Sequence, residues 1–388
     1  MLLSLEALQA RHGDCLIIQY GETEQPRLIL VDGGPARVYG TTLKPRLDEL
    51  RQHLADDQDR LPIALAMVSH IDDDHIHGLL DLTGELIDAD SQGQTPNVTV
   101  GSFWHNSFND LTDDQGELFA LLQPSDAERL SNASGTPAGI RSAAAVVASV
   151  NQGRQLRDEI ETLGWKLNHP FSGLVHAPDQ GGRKVTLDNN TSLVVLAPRE
   201  QQLKDLQEEW DEQLTRLRNR QADEASVAAY VDKSVFNLSS IVCLLQASDQ
   251  TILLTGDARG DQILEAIDVA GLTDQGKLHV DVLKLPHHGS DNNVDTDFFE
   301  RITADHYVVS GDGRHGNPET ATLQMLCDGR TDNDFTIHLT YESGLDDLEA
   351  KLATFFAAQT SAGRTFRVAS PAQGTNSLRI DLLDPLPH

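Results

Sequence analysis

Apolar and polar positions alternate in short blocks from the first residues onward. Leu2 to Asp32 holds three apolar stretches, LLSLEAL, CLIIQY and RLILVDGG, separated by polar turns, which is the pattern of a β-meander. The period then changes. Residues 42–54 predict a helix, and LPIALAMV, Leu61 to Val68, is a fully apolar run of the kind a buried strand shows. Directly after it stands SHIDDDHIHG, Ser69 to Gly78, followed by a short helix and the strand VTVGSFW, Val98 to Trp104. Strand, helix and strand, with a polar cluster at a strand's C-terminal end, predict an α/β layer fold with its site at the sheet edge.

Two stretches depart from this rhythm. Residues 110–164 and 201–232 read as polar turns and helices, and strand-like runs resume after them: SLVVLAP, LSSIVCLLQ and TILLTGD. Both stretches are expected to be insertions in one domain spanning residues 1–330. HYVVSGDGRHG, FTIHLTY and SLRIDLL supply further strands, and residues 331–388 are expected to form an α/β extension packed on the same domain. No repeat period is visible.

Charge narrows the function. Thirty Lys plus Arg against sixty Asp plus Glu give a net charge of -30, which excludes a broad basic surface for gripping phosphates. A nucleic-acid or nucleotide substrate would have to be engaged locally, and the acidic surface or the insertions are the places for a protein partner. No apolar run approaches the roughly 20 residues of a membrane span. The N-terminus lacks a basic segment ahead of an apolar core, so the cytoplasm is the expected location. Cys15, Cys243 and Cys327 are widely spaced, and two of them lie in strand-like runs, which predicts buried thiols.

His70, Asp72 and Asp74 alternate along SHIDDDHIHG, so an extended backbone points them the same way, and His75 follows at once. So many acids on one loop repel each other unless a cation neutralises them. Two distant runs repeat the arrangement. TILLTGD ends an apolar strand in Asp257, and VDVLKLPHHGSDNN ends another in His287 and His288. Three strands terminating in Asp or His suit a metal site built from strand ends.

The order HxDxDHxxG, LLTGD, LKLPHHGS resembles the metallo-β-lactamase fold superfamily, in particular the branch found in the C-terminal domain of ComEC-type competence proteins. Asp72 stands where the wider superfamily has a second His. LILVDGG and HGDC resemble the family's early strand and GD turn. The resemblance covers roughly residues 1–320 and implies an αββα metallo-β-lactamase sandwich with helical insertions and two divalent metal ions at one edge. It makes His70 and Asp72 ligands of one metal and Asp74 and His75 ligands of the other, with Asp257 bridging. One of His287 and His288 is the remaining ligand; His287 is preferred, which leaves His288 for substrate. Lys284 and Ser290 are outer groups, Asp73 points away, and His77 is a bystander.

One family ligand has no counterpart, because the middle strand SLVVLAP ends in Ala197-Pro198. His105 is the candidate substitute or substrate contact, with His169 and His176 as competitors. GDGRHGNPET places Arg314 and His315 on a turn near the site, where a guanidinium can clamp a phosphodiester; Asn237 and Ser239 are lesser candidates. The implied chemistry is hydrolysis by a water whose pKa falls from about 15.7 toward ~7 between two cations, with Asp74, Asp257 and His288 as the catalytic groups. The carboxylate-rich donor set suits Mn²⁺ or Mg²⁺ beside Zn²⁺. The resemblance favours a phosphodiesterase or nuclease. A hydrolase of small esters, lactones or phosphorylated metabolites is the alternative, and a metal-binding interaction module or effector subunit the second. The basic run LTRLRNR, residues 214–220, alternates with acids and reads as a salt-bridged helix face.

Overall fold

The computed structural model describes residues 1–107, 143–218 and 239–385. The chain begins with β1 (Leu2–Leu8), β2 (Leu16–Glu22), β3 (Gln25–Val31), α1 (Lys44–Leu54), β4 (Leu61–Met67), α2 (Asp73–Ser91) and β5 (Val98–Trp104). Next come α3 (Ala143–Thr162), β6 (Lys166–Leu167), β7 (Arg183–Thr186), β8 (Thr191–Ala197) and α4 (Glu200–Arg218). The remainder is β9 (Val242–Ala247), β10 (Gln250–Leu254), α5 (Gly260–Val269), β11 (Leu278–Lys284), α6 (Thr296–Arg301), β12 (Ile302–Val309), α7 (Thr320–Gly329), β13 (Thr336–Leu339), α8 (Leu348–Ser361), β14 (Arg367–Ala369) and β15 (Ser377–Asp381).

The strands form two sheets, ordered β15-β1-β2-β3-β4-β5-β6 and β14-β13-β12-β11-β10-β9-β8-β7. Their facing sides share one apolar core, in which Leu5, Ile18, Met67 and Trp104 meet Leu193, Cys243, Ile252 and Val282. This is why LLSLEAL and SLVVLA are buried throughout: one face meets the other sheet and the other face meets helices. Outside the first sheet, Leu47 and Leu50 of α1, Leu79 and Leu82 of α2 and Leu156 of α3 close a second core. Outside the other sheet, Ile263 of α5, Phe298 of α6, Leu326 of α7 and Leu352 of α8 close a third. The molecule is thus an αββα sandwich, the architecture expected.

The stretches read as insertions contribute to these layers: Leu203 and Leu206 of α4 belong to the same core as Leu156 and Ile160 of α3. Residues 214–218 of the basic run continue α4, while 219–220 and Asn237 lie outside the described residues. Beyond residue 330, β13 and β14 extend one sheet and β15 pairs with β1 in the other. The three cysteines are free and buried. No helix among the described residues is long and apolar enough to cross a membrane.

β3, β4 and β5 are parallel, as are β10 to β13, so their C-terminal ends gather at one edge. The first turn of α2 is clamped there. Gly33 N–H donates to the His75 carbonyl at 2.7 Å, and Gly78 N–H donates to the Gly34 carbonyl at 2.9 Å. A Cβ on Gly78 would lie 2.0 Å from the Gly33 carbonyl oxygen, so only glycine permits this approach.

Candidate metal centre

The strand end at Ser69 is held by Asp32, whose carboxylate accepts from the Ser69 N–H at 2.7 Å and from its hydroxyl at 2.8 Å. Asp72 then stands at the N-cap position of α2, and Asp73 and Asp74 occupy its first turn, where the positive end of the helix dipole favours acids. This local fold explains why three acids in a row are tolerated and why they diverge. Asp73 turns to His77, at 2.9 Å, and to Gln152, at 2.7 Å. His70, Asp72, Asp74 and His75 are buried.

Four imidazoles converge on Asp257. His70 Nε2 lies 3.6 Å from Asp257 Oδ2 and 3.6 Å from Asp72 Oδ2, and His75 Nε2 lies 3.4 Å from Asp257 Oδ1. His287 Nε2 and His288 Nε2 are each 3.7 Å from Asp257 Oδ2, and His288 Nε2 is also 3.7 Å from Asp74 Oδ2. His70 Nε2, His75 Nε2, His288 Nε2 and Asp257 Oδ1 are buried and make no hydrogen bond. Donor atoms bound at about 2.0–2.2 Å around one cation lie roughly 3–3.6 Å apart. The spacing is therefore that of ligands around an ion.

The rear nitrogens are all engaged. His75 Nδ1 donates to Asp32 at 2.9 Å, and His287 Nδ1 meets the Asn293 side-chain oxygen at 2.8 Å. His70 Nδ1 is 3.1 Å from the Ser69 hydroxyl, and His288 Nδ1 is 3.2 Å from the Ser310 hydroxyl. A proton fixed on Nδ1 leaves the Nε2 lone pair facing the centre, the tautomer that a metal requires. The surrounding carboxylates favour positive charge at this centre. Burial alone would lower His75, but Asp257 and Asp32 hold it well above its usual value. His288 is raised to about 9 against its burial by Asp257 and Asp14. Asp257 is held well below the carboxylate range despite burial, by the imidazoles of His287, His288, His75 and His70. A buried His/Asp cluster of this composition fits a divalent metal ion.

Sequence reasoning missed Asp14. Its donor atom, with those of His75, Asp257 and His288, falls in a set whose members all lie within 4.8 Å of one another. Asp14 Oδ2 is nevertheless committed to Lys284 Nζ at 2.7 Å, and Oδ1 accepts from the Ser310 hydroxyl and lies 3.4 Å from His288 Nδ1. With both oxygens engaged behind His288, Asp14 acts as the clamp that orients that ring. Its signal was the HGDC turn. Asp14 N–H bonds the Asp74 carbonyl at 3.3 Å, and a Cβ on Gly13 would fall 1.8 Å from the same oxygen. Asp32 and its hold on His75 were missed too, although Asp32 ends the apolar run LILV.

Distance to Asp257 does not separate His287 from His288. Both adopt left-handed backbone, φ 47° and φ 54°, conformations that cost energy for a side-chain residue and persist where surroundings enforce them. His288 is buried, and the His287 side chain is 30% exposed on the open side. Of the remaining candidates, His105 is buried with Nε2 on the Gly153 carbonyl at 3.0 Å. His176 Nδ1 lies against the Ala177 carbonyl, and the His169 carbonyl accepts from Trp104. Ser239 is buried next to Ser240, whose hydroxyl accepts from Asp257 N–H at 3.3 Å. Arg314 and His315 form a turn beyond β12, and His315 packs edge-on against His12 at 5.9 Å. Burial, together with the charges of Arg314 and His288, lowers His12 to about 4 against the pull of Asp74 and Asp312.

No family model matches the chain. A 54-residue stretch, 14% of the chain, is 43% identical to microtubule-associated protein 1A of Rattus norvegicus, Mus musculus and Homo sapiens, and spans 2% of the length of those relatives. Among solved structures the chain is similar to the metallo-beta-lactamase fold protein YhfI from Bacillus subtilis, with 10% identity, a TM-score of 0.38, and coverage of 98% of this chain and 99% of that one. It is similar to Zn²⁺-bound PqqB from Methylobacterium extorquens, with 11% identity, a TM-score of 0.40 and coverage of 94% and 87%. It is also similar to the isothiocyanate hydrolase from Delia radicum gut bacteria, with 10% identity, a TM-score of 0.35 and coverage of 97% and 98%. Identities of this size leave the chemistry to be read from the residues themselves.

Proposed function

We propose that this chain is a metal-dependent hydrolase of the metallo-β-lactamase type and that its substrate is a phosphodiester, in a nucleic acid or a nucleotide. The observation that carries the reading is the convergence of four Nε2 atoms on Asp257 while all four Nδ1 atoms are held from behind. Asp74, His75, His288 and Asp257 would hold one divalent ion. His70, Asp72 and Asp257 would hold the other, with His287 completing the half that Ala197 leaves short. Metal bound there supplies an activated water and a Lewis acid at neutral pH. Asp257 faces both halves and keeps them in register. Asp74, beside His288, is positioned to orient the attacking water, while Asp32 and Asp14 keep the His75 and His288 rings from turning. Arg314 and His315, on the turn after β12, would meet the non-bridging oxygens of a phosphodiester.

A small ester, lactone or phosphorylated metabolite is a second reading, favoured by the net charge of -30, which repels long polyanions. Incubating the purified protein under Mn²⁺ or Zn²⁺ with single- and double-stranded DNA and RNA, a generic phosphodiester and a lactone separates the two. We expect metal-dependent phosphodiester cleavage that is lost in Asp257→Ala. Turnover of the lactone alone removes the phosphodiesterase, and no turnover of any substrate removes the hydrolase.

A further inference from the structure

Arg199 stands two residues beyond the end of β8 and opens α4. β8 is antiparallel to β9 and β9 is antiparallel to β10, so β8 runs with β10 and ends at the edge that carries Asp257. The link to the site is short. Ala197 pairs with Val242, the neighbouring Ile241 N–H donates to the Ser69 carbonyl at 2.8 Å, and Ser240 bonds Asp257.

Arg199 is 4% exposed, yet Nη1 and Nη2 are both buried and make no hydrogen bond. No carboxylate among the described residues pairs with it. Other buried cations at this depth are satisfied: Lys284 by Asp14 and the Leu285 carbonyl, Arg330 by Asp332, Tyr307 and the Ala304 carbonyl. A guanidinium cannot shed its proton, so a buried and unpaired one is costly unless an anion arrives. In a chain with twice as many acids as bases, a missing carboxylate partner is not a matter of supply. Arg199 immediately precedes α4, whose N-terminus carries the positive dipole end, and Asp179 accepts from one of its N–H groups, that of Gln201, at 2.7 Å.

We propose that Arg199 anchors an oxyanion site, accepting phosphate-type oxygens on its bidentate fork at the same sheet edge as the metal cluster. The extension that this site takes a flanking phosphate of the substrate rests on the phosphodiesterase reading; the anion site itself does not.

Thermal melting with inorganic phosphate, against chloride at matched ionic strength, tests it in wild type, Arg199→Met and Arg199→Lys. Phosphate is expected to raise the wild-type Tm. Arg199→Met should match or exceed the wild-type Tm in phosphate-free buffer, because an apolar side chain removes an unpaired buried charge. Its phosphate affinity should fall about tenfold or more, with Arg199→Lys between the two. A wild type unmoved by phosphate, an Arg199→Met with wild-type affinity, or one that melts far below wild type without phosphate overturns the proposal. A wild type that takes up phosphate through Arg199 yet cleaves no phosphodiester supports the anion site and rejects the phosphodiesterase.

Discussion

Two groups of inward-facing histidines sit in opposite electrostatic surroundings. At the strand ends, His70, His75, His287 and His288 surround Asp257, and carboxylates hold His75 and His288 above the usual imidazole range. On β12 and β13, His306 Nδ1 and His338 Nε2 are 3.0 Å apart, and burial lowers both rings, His338 to about 4 with help from His306. The second pair satisfies itself with one neutral hydrogen bond and asks for no cation. The first group has buried acids around it and Nε2 atoms on three of its rings that bond to nothing, and the buried amine of Lys284 is already taken by Asp14. Burial is common to both groups, so it does not mark a metal site. What does is the combination of carboxylates in front of the imidazoles and fixed protons behind them.

The largest break in this contrast is Asp257→Ala, which removes the carboxylate common to all four rings; metal retention after dialysis is expected to fall to background. Next is Lys284→Met. It leaves Asp14 buried without its cation, and breaking a buried pair costs ~3–5 kcal/mol, read as a lower denaturation midpoint. Asp32→Asn keeps the volume but loses the carboxylate behind His75, and losing such an outer partner weakens metal affinity by about 10–100-fold, measurable by competition with a chelator.

The smallest effect is on pH dependence, with opposite signs for the two groups. In metal-free protein His288, raised to about 9, contributes stability fully present below pH 6.5 and lost as pH rises toward 9. His338, lowered to about 4, contributes stability present above pH 6.5 and lost as pH falls toward 4. Melting across pH should show both limbs. His338→Gln should flatten the acid limb alone, and bound metal the alkaline limb alone.

The residues that gather around Asp257 were legible because each terminates an apolar run: His70 to His75 after LPIALAMV, Asp257 after TILLTG, and His287 and His288 after VDVLKLP. A strand that must end in polar side chains announces an edge. Asp14 and Arg199 were not legible for a different reason. Asp14 acts through Lys284, Ser310 and His288, distant in sequence, and no local period encodes which acid meets which base. Arg199 in APRE reads as an ordinary helix start, since only the packed structure shows that its fork meets no carboxylate among the described residues. The choice between His287 and His288 escaped for a backbone reason: two successive left-handed residues break the alternation on which a strand-based assignment depends.

The central claim is that the cluster around Asp257 holds metal. Elemental analysis of purified, extensively dialysed protein, loaded with Zn²⁺ or Mn²⁺ beside an Asp257→Ala control, tests it directly. We predict about two equivalents per chain in the wild type, as two-metal sites hold, and background in the variant. A wild type that retains no divalent metal, or a variant that retains as much as the wild type, contradicts it.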